Sequence, residues 1–350
     1  LRGVVRDAWP PSAGAADDRH PVAVPPAERR RATTVLRPTR RGDRHAHRVT
    51  VRAVGPLGLA ARQGSHDVPW QVRVLPPFTS RKHLPAKLAR LRELDGRTAV
   101  LVRGQGTEFD TLREYVIGDD VRSIDWRASA RAADVVVRTW RPERDRHVLI
   151  VLDTSRTSAG RVGDAPRLDA SLDAALLLAA LAARAGDRVD LLAYDRYTRA
   201  RVEGGGRADL LPSLVRAMAP LEPELVEVDG RGLVASVLAQ ASRRSLVVLL
   251  TNLDAAAVED GLLPVLPALT RRHQVLVAAV ADPAVAAMAA ARGDAEAVYA
   301  AAAATRAIAE RRRVTEQLAR RGVEVVDEPP ERLPPALADR YLALKAAGRL

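Results

Sequence analysis

HVLIVLDTSRTS, residues 147–158, decides the fold. A run of apolar and β-branched residues ends abruptly in an acid and alternating hydroxyls. So short an apolar run, with no polar interruption, reads as a strand buried on both faces, the kind found in parallel sheets. Strand alternation at its exit places Asp153, Ser155 and Thr157 in compatible directions, so one carboxylate and two neutral oxygens arrive together at its carboxyl end. Open α/β sheets take ligands just outside the carboxyl ends of their strands, and hard cations such as Mg²⁺ bind through oxygen.

On the carboxyl side of this run, β-like and helical stretches alternate. RVDLLAY (188–194), a weaker ARVEG (200–204), SLVVLLT (245–251), HQVLVAAV (273–280) and VEVV (323–326) are expected strands. Ala- and Leu-rich helices are expected over 168–185, 207–219, 231–242, 256–271, 294–321 and 335–347, with Gly186 and Gly322 as helix stops. The alternation predicts an α/β domain with a mainly parallel sheet and helices on both faces. Residues 1–77 differ: they are rich in Pro, Gly and Arg, with β-like runs at 33–38, 47–54 and 70–77 and turn signals at 40–44 and 55–58. A small antiparallel region is expected there, incomplete because the chain starts inside it at Leu1. Leu84, Leu88, Leu91 and Leu94 are spaced as on a helix over 83–95. The expected organisation is a β-rich region over 1–77, a connecting helix and motif block over 78–146, and the α/β domain over 147–350.

Composition narrows the function. There is no Cys, which excludes disulfides, thiol catalysis and cysteine-ligated metal centres. The net charge of +12 comes from 55 basic against 43 acidic residues, but the two signs are interleaved and aromatics make up only 3%, which argues against nucleic-acid binding. No apolar run reaches the roughly 18 residues of a spanning helix, so the chain as given is expected in the cytoplasm. Membrane association is expected only through a segment ahead of Leu1, which would anchor the parent protein at the cytoplasmic face. Neither nucleotide fingerprint is met, since Phe109 stands where a third glycine would follow Gly104-Gln105-Gly106, so no nucleotide is expected. A G-x-S-x-G elbow and an H-E-x-x-H helix are also missing.

The run Asp153-x-Ser155-x-Thr157 admits two chemical readings. With Asp153 as nucleophile it resembles a haloacid-dehalogenase-type phosphatase, but Ser155 replaces the acid that would protonate the leaving group. A Mg²⁺-dependent phosphoester hydrolase using Asp153 is therefore the alternative. As a cation site the run resembles the metal-ion-dependent adhesion site of von Willebrand factor A domains, which begins D-x-S-x-S. That resemblance extends in order and spacing of elements from 147 to about 330. A more specific one lies upstream: GQGTEFDTLREYVIGDDVRSIDWRASAR (104–131), with LRPTRRGDR, GPLGLAARQ and VLDTS, looks like the bacterial family called domain of unknown function fifty-eight. This resemblance implies a von Willebrand A-like fold, a non-enzymatic adaptor role and a protein partner of the MoxR-type AAA+ ATPase class. Many members also carry two membrane helices ahead of the β-rich region.

The implied metal site is degenerate. Asp153 and Ser155 are in place and Thr157 substitutes for Ser, but DGRGLVAS (229–236) offers no hydroxyl before Ser236, and the last acid falls on Asn252 with Asp254 two residues on. Losing a carboxylate weakens attraction for Mg²⁺. The favoured reading is a solvated strand end capping the next helix; Mg²⁺ or another divalent cation held by Asp153, Ser155, Thr157, Asn252 and Asp254 is the alternative. Upstream, Arg113, Tyr115, Gly118, Asp119, Arg122, Asp125, Trp126 and Arg131 mix balanced charges without a nucleophile–base set. They are expected to form a clamp that packs Trp126 against the sheet, with a partner surface as the alternative. A third functional reading is electrostatic binding to nucleic acid or anionic membrane, with Arg-rich 29–31 and 40–48 facing the lipid.

Overall fold

The computed structural model describes residues 1–101, 108–116, 121–131, 134–141, 146–204 and 209–350, with backbone alone for 95–101, 108–111 and 138–141. Gly118 and Asp119 lie outside the described residues. Internal contacts divide the chain into two units, Leu1–Pro77 with Pro212–Glu222, and Phe78–Leu211 with Pro223–Leu350.

In the first unit β1 (Arg2–Asp7), β2 (Arg19–Ala23), β4 (Val49–Val54) and β5 (Ala61–His66) form an antiparallel sheet in the order β2-β1-β4-β5, and β3 (Gly42–His45) pairs with β6 (Gln71–Val74). Two local expectations fail here. The run at 33–38 is not a strand: it lies along Ser12–Ala16, where a 3-10 turn (Pro11–Ala13) and left-handed Gly14 (φ +62°) allow only a single bridge, Ala15 to Leu36. The expected turn at 40–44 is instead entered by β3, because Asp43 faces Arg73 on β6 and takes two hydrogen bonds from it at 2.7 and 2.8 Å.

The second unit opens with α1 (Leu84–Leu101) and an antiparallel hairpin of β7 (Glu108–Glu114) and β8 (Val136–Arg141), with the four-residue α2 (Trp126–Ser129) between them. β9 (His147–Asp153) follows, then α3 (Arg156–Ala159), a ribbon of β10 (Arg161–Val162) and β11 (Ala165–Pro166), and α4 (Arg167–Arg184). β12 (Arg188–Tyr194) turns back into β13 (Thr198–Val202); α5 (Leu210–Met218), most of which belongs to the first unit, comes next in the chain, and the second unit resumes with α6 (Gly230–Gln240) and β14 (Leu246–Leu250). A π-helical stretch (Ala257–Leu262), α7 (Leu266–Thr270), β15 (Gln274–Val280), α8 (Pro283–Ala290), α9 (Ala295–Arg320), β16 (Glu324–Glu328) and α10 (Leu333–Ala346) complete it. The six-stranded sheet runs β13-β12-β9-β14-β15-β16 and is parallel except for β13.

Burial explains why the central strands carry no alternation. Val148 to Asp153 and all of β15 are buried, since helices cover both faces. Leu149 and Val151 pack with Leu233 and Val237 of α6, Leu266 of α7, and Val314 and Leu318 of α9. On the opposite face α4 lies against β9 and α10, and its Ala and Leu residues are buried all around the helix, as they must be where a helix is enclosed. Gly186 (φ +83°) and Gly322 (φ +77°) end α4 and α9 in the left-handed conformation. The single helix expected over 256–271 is interrupted between Leu262 and Leu266, where Pro264 and Pro267 remove backbone donors.

Polar groups are buried at the amino end of this sheet. Asp190 is fully buried; it accepts hydrogen bonds from the Gly204 amide at 2.7 Å and from Arg188 at 3.1 and 3.2 Å. His147 Nε2 stands 3.0 Å from it, off the line a hydrogen bond requires. Burial alone would raise the Asp190 pKa, but these partners outweigh it and hold it at about 2. His273 is 5% exposed, and neither ring nitrogen has a partner among the described residues. Burial pushes its pKa down, and the charges of Arg272 and His147 push the same way. An unfolded His takes up a proton below about pH 6.5 while folded His273 resists it, so this contribution is intact above that pH and lost as pH falls. The urea midpoint should therefore drop between pH 7.5 and 5, and by less in His273→Leu; an equal drop in both proteins would refute this assignment.

Candidate functional site

β9 carries Asp153 to the carboxyl crest of the sheet, where the carboxylate is 3% exposed and both oxygens are engaged. Oδ1 accepts from the Ser155 amide at 2.8 Å; Oδ2 accepts from Thr157 Oγ1 at 2.9 Å and Thr251 Oγ1 at 2.5 Å. Ser158 Oγ donates to the Asp153 carbonyl at 2.6 Å, and Ser155 Oγ lies 3.3 Å from Thr157 Oγ1. The structure thus gathers the three residues of the D-x-S-x-T run, but the solvated strand end expected from sequence is sealed. Ser155 begins α3 without a side-chain capping bond, because the local donors turn inward to the carboxylate.

Sequence reasoning missed two parts of this arrangement. Thr251 reaches Asp153 only because β14 lies beside β9, with Leu250 opposite Leu152. A second acid, Asp195, is fully buried and accepts from Thr154 Oγ1 at 3.0 Å, the Arg196 and Tyr197 amides at 2.5 and 3.1 Å, and Arg199 Nε at 2.6 Å. Burial opposes ionisation there, but Arg199 and the two amides outweigh it and hold the carboxyl below its ordinary pKa. A signal for it existed, since RVDLLAYD repeats the pattern of an apolar run ending in an acid.

Asn252 and Asp254 face elsewhere. Asn252 Oδ1 accepts from Arg311 Nη1 at 2.8 Å, while the rest of that guanidinium grips Asp327 at 2.6 and 2.7 Å and the Val280 carbonyl at 3.2 Å. Arg311 of α9 so ties together the carboxyl ends of β14, β15 and β16. Asp254 Oδ1 accepts from the Ala257 amide at 3.1 Å, at the start of the π-helical stretch.

Beside Asp153 is a cavity of about 20 Å³ whose lining includes Thr251 and Asn252, with Val228, Leu233 and Leu249 as apolar wall. It is tight because Gly230 comes so close to the next loop that a Cβ there would sit 2.2 Å from the Gly261 carbonyl oxygen. The space suits about one water molecule. It offers a single carboxylate with both oxygens already bonded, and among the described residues no group of three or more His, Cys, Asp or Glu can hold a metal ion. This donor set does not fit a resident Mg²⁺, which takes one or two free carboxylates and keeps several waters in an octahedral shell that a space of about 20 Å³ does not hold.

Around the crest stand exposed groups. Tyr197 in the β12–β13 turn is 70% exposed and Leu225 is 82% exposed. Arg167 folds its guanidinium over Gly160, where a Cβ would lie 2.0 Å from Nη1, and its Nε is buried with no partner among the described residues. Burial pushes the Arg167 pKa down, and the charge of Arg311 adds to that.

The family described as "Protein of unknown function DUF58" matches residues 111–328. The chain belongs to the DUF58 family. Uncharacterized protein Rv1480 of Mycobacterium tuberculosis (strain H37Rv) and Mb1516 of Mycobacterium bovis are each 27% identical over 192 residues, covering 54% of this chain and 60% of theirs. YeaD of Bacillus subtilis is 25% identical over 119 residues, covering 34% of this chain and 30% of its own. The matched stretch therefore spans well under the full length of these curated relatives. Among solved structures, the SpRpn10 VWA domain is 15% identical with a TM-score of 0.31, covering 57% of this chain and 94% of its own. BatB from Bacteroides thetaiotaomicron is 15% identical with a TM-score of 0.33, covering 57% and 98%. In this chain an antiparallel amino-terminal region is followed in sequence by a mostly parallel sheet covered by helices, and at these scores the solved structures pass no site detail to it.

The described part of the DUF58 motif block forms the β7–β8 hairpin and its connection. Tyr115 is half-buried and its amide bonds the Val135 carbonyl at 2.8 Å; Arg113, Arg122 and Arg131 are exposed. Asp125 caps α2, accepting from the Arg127 and Ala128 amides at 3.0 and 3.1 Å. Trp126 is 68% exposed, so its expected packing against the sheet is wrong. The Asp125 amide donates to the Val136 carbonyl at 2.9 Å and the Val136 amide donates to Ser129 Oγ at 2.8 Å, which anchors α2 without the indole.

Replacing Asp153 by Ala strands the buried Ser155 amide and Thr157 hydroxyl and the part-buried Thr251 hydroxyl, at about 1–3 kcal/mol for each left unpaired. Asp153→Ala should lower unfolding stability by about 3 kcal/mol or more, and Asp153→Asn by less. A urea midpoint unchanged in Asp153→Ala would show that the carboxylate does not organise the crest.

Proposed function

We propose that this DUF58 chain is a non-enzymatic interaction protein whose von Willebrand A-like crest docks a protein partner. The observation that carries this reading is the size of the cavity beside Asp153. Small-molecule sites typically enclose about 300–1,000 Å³, whereas this one has about 20 Å³. Both oxygens of the only acid facing it are held by internal donors, leaving no free base or nucleophile there. Exposed Tyr197 and Leu225 are the kind of aromatic and apolar anchors that dock into a protein surface. A MoxR-type AAA+ ATPase is the partner class, on the strength of the motif resemblance over 104–131. The poor fit of the donor set to a cation makes this docking independent of divalent metal. The setting is the cytoplasm, at the membrane face if the whole protein is anchored.

Biolayer interferometry between the purified chain and a MoxR-type ATPase tests this. Tyr197→Ala and Leu225→Asp should each weaken binding about tenfold, a loss of ~1.4 kcal/mol, while chelator leaves it unchanged. Binding that ignores both substitutions would remove the crest as the docking point. Phosphoester turnover with Mg²⁺ that vanishes in Asp153→Asn would replace the adaptor by the hydrolase reading.

A further inference from the structure

α8 reads Pro-Ala-Val-Ala-Ala-Met-Ala-Ala, with no polar side chain, yet none of its residues is buried. Met288 is 43% exposed, and Val298 and Tyr299 at the start of α9 are 52% and 78% exposed. Scattered apolar residues on a surface are ordinary, but an entire apolar helix held there marks a contact surface. Beside it, α8 and α9 enclose an open cleft of about 440 Å³ whose floor includes Ala289, Ile308 and Ala309. Thr305 on the same wall turns its hydroxyl back to the Ala301 carbonyl at 2.7 Å, which leaves its methyl for the cleft.

The rim of the cleft is basic. Arg312 is exposed and makes no hydrogen bond or ion pair among the described residues. Arg313 lies 3.3 Å from Glu259, and the lone rim acid, Glu316, is 3.8 Å from Arg320. Arg292 donates to the carbonyls of Ala289 and Ala291 at 3.0 and 2.7 Å, which keeps a third guanidinium at the α8 end. Arg312 and Arg313 on the lining, with Arg292 just past the end of α8, favour an occupant with apolar side chains on one side and carboxylates beside them. The concavity seats protruding side chains, as a groove does for an amphipathic helix, whereas a lipid surface is met by a flat or convex apolar face.

We propose that the cleft between α8 and α9 is the docking site for an acidic amphipathic helix of a partner protein. Its apolar side fills the space over Ile308 and Ala309 and its carboxylates meet Arg312 and the neighbouring guanidinium groups. This surface is independent of the crest and of Asp153.

The test uses the full chain and a fluorescein-labelled synthetic helix with Leu on one face and Glu on its flanks, beside the same peptide with Lys in place of Glu. The acidic peptide should bind, less tightly as salt rises, and the Lys peptide should not. Arg312→Glu and Ala309→Trp, both at exposed positions, should each weaken binding about tenfold or more without changing the thermal midpoint. Failure of the acidic peptide to bind, equal binding of both peptides, or wild-type affinity in both variants would overturn the proposal. So would co-sedimentation with phosphatidylglycerol vesicles that is lost in the same two variants, which would assign the cleft to lipid.

Discussion

A carboxylate buried at the end of a parallel strand has to find donors within the protein, and the crest is organised around that need at Asp153. Removing a charged group from water costs several kcal/mol, roughly, unless hydrogen bonds replace the lost solvation. The Ser155 amide and the Thr157 and Thr251 hydroxyls supply them, which fixes the chain leaving β9 and joins it to the end of β14. Asp195 solves the same problem one strand over, through Thr154, Arg199 and two amides of its own turn. On the other side Arg311 reverses the signs, with a guanidinium satisfied by Asn252, Asp327 and the Val280 carbonyl. Five strand ends are thereby linked through polar groups at one edge of an apolar sheet.

On the proposed docking role, such wiring serves as a rigid platform. Each buried charge is met by fixed donors, so little is left to take or give a proton to a substrate, and the enclosed space holds no more than a water-sized species. What the network does provide is a defined position for the exposed turns that it anchors. The Tyr197 amide donates to Asp195 at 3.1 Å, and the loop bearing Leu225 is joined to the β9 exit through the bond from the Glu224 amide to the Thr154 carbonyl at 2.7 Å. The amino end of the sheet treats charge differently, pairing Asp190 with Arg188 and Gly204 but leaving both His273 ring nitrogens without a partner among the described residues.

Much of the second unit was legible because its signals are local. Apolar runs without alternation mark β9, β12, β14 and β15 to within a residue, and the antiparallel ARVEG corresponds to β13. The first unit was harder, since strands such as β5, Ala61–His66, are exposed along their whole length and carry no hydrophobic pattern to read. Trp126 misled for a related reason: an aromatic residue suggests a core, but two short polar side chains had already satisfied the local backbone.

The sequence by itself determined the strand–helix alternation, the position of the acid and hydroxyls at the end of β9 and, through its motifs, the family. Periodicity and strand-end chemistry are properties of neighbouring residues and need no partner to be recognised. Only the tertiary structure decided that Asp153 is sealed and fully bonded, that Thr251 joins it, and that Asn252 and Asp254 turn to Arg311 and a helix start. Those outcomes depend on which strands lie side by side and on which donor wins the competition for each buried oxygen. That competition is settled by the packing of segments as far apart as residues 153 and 251.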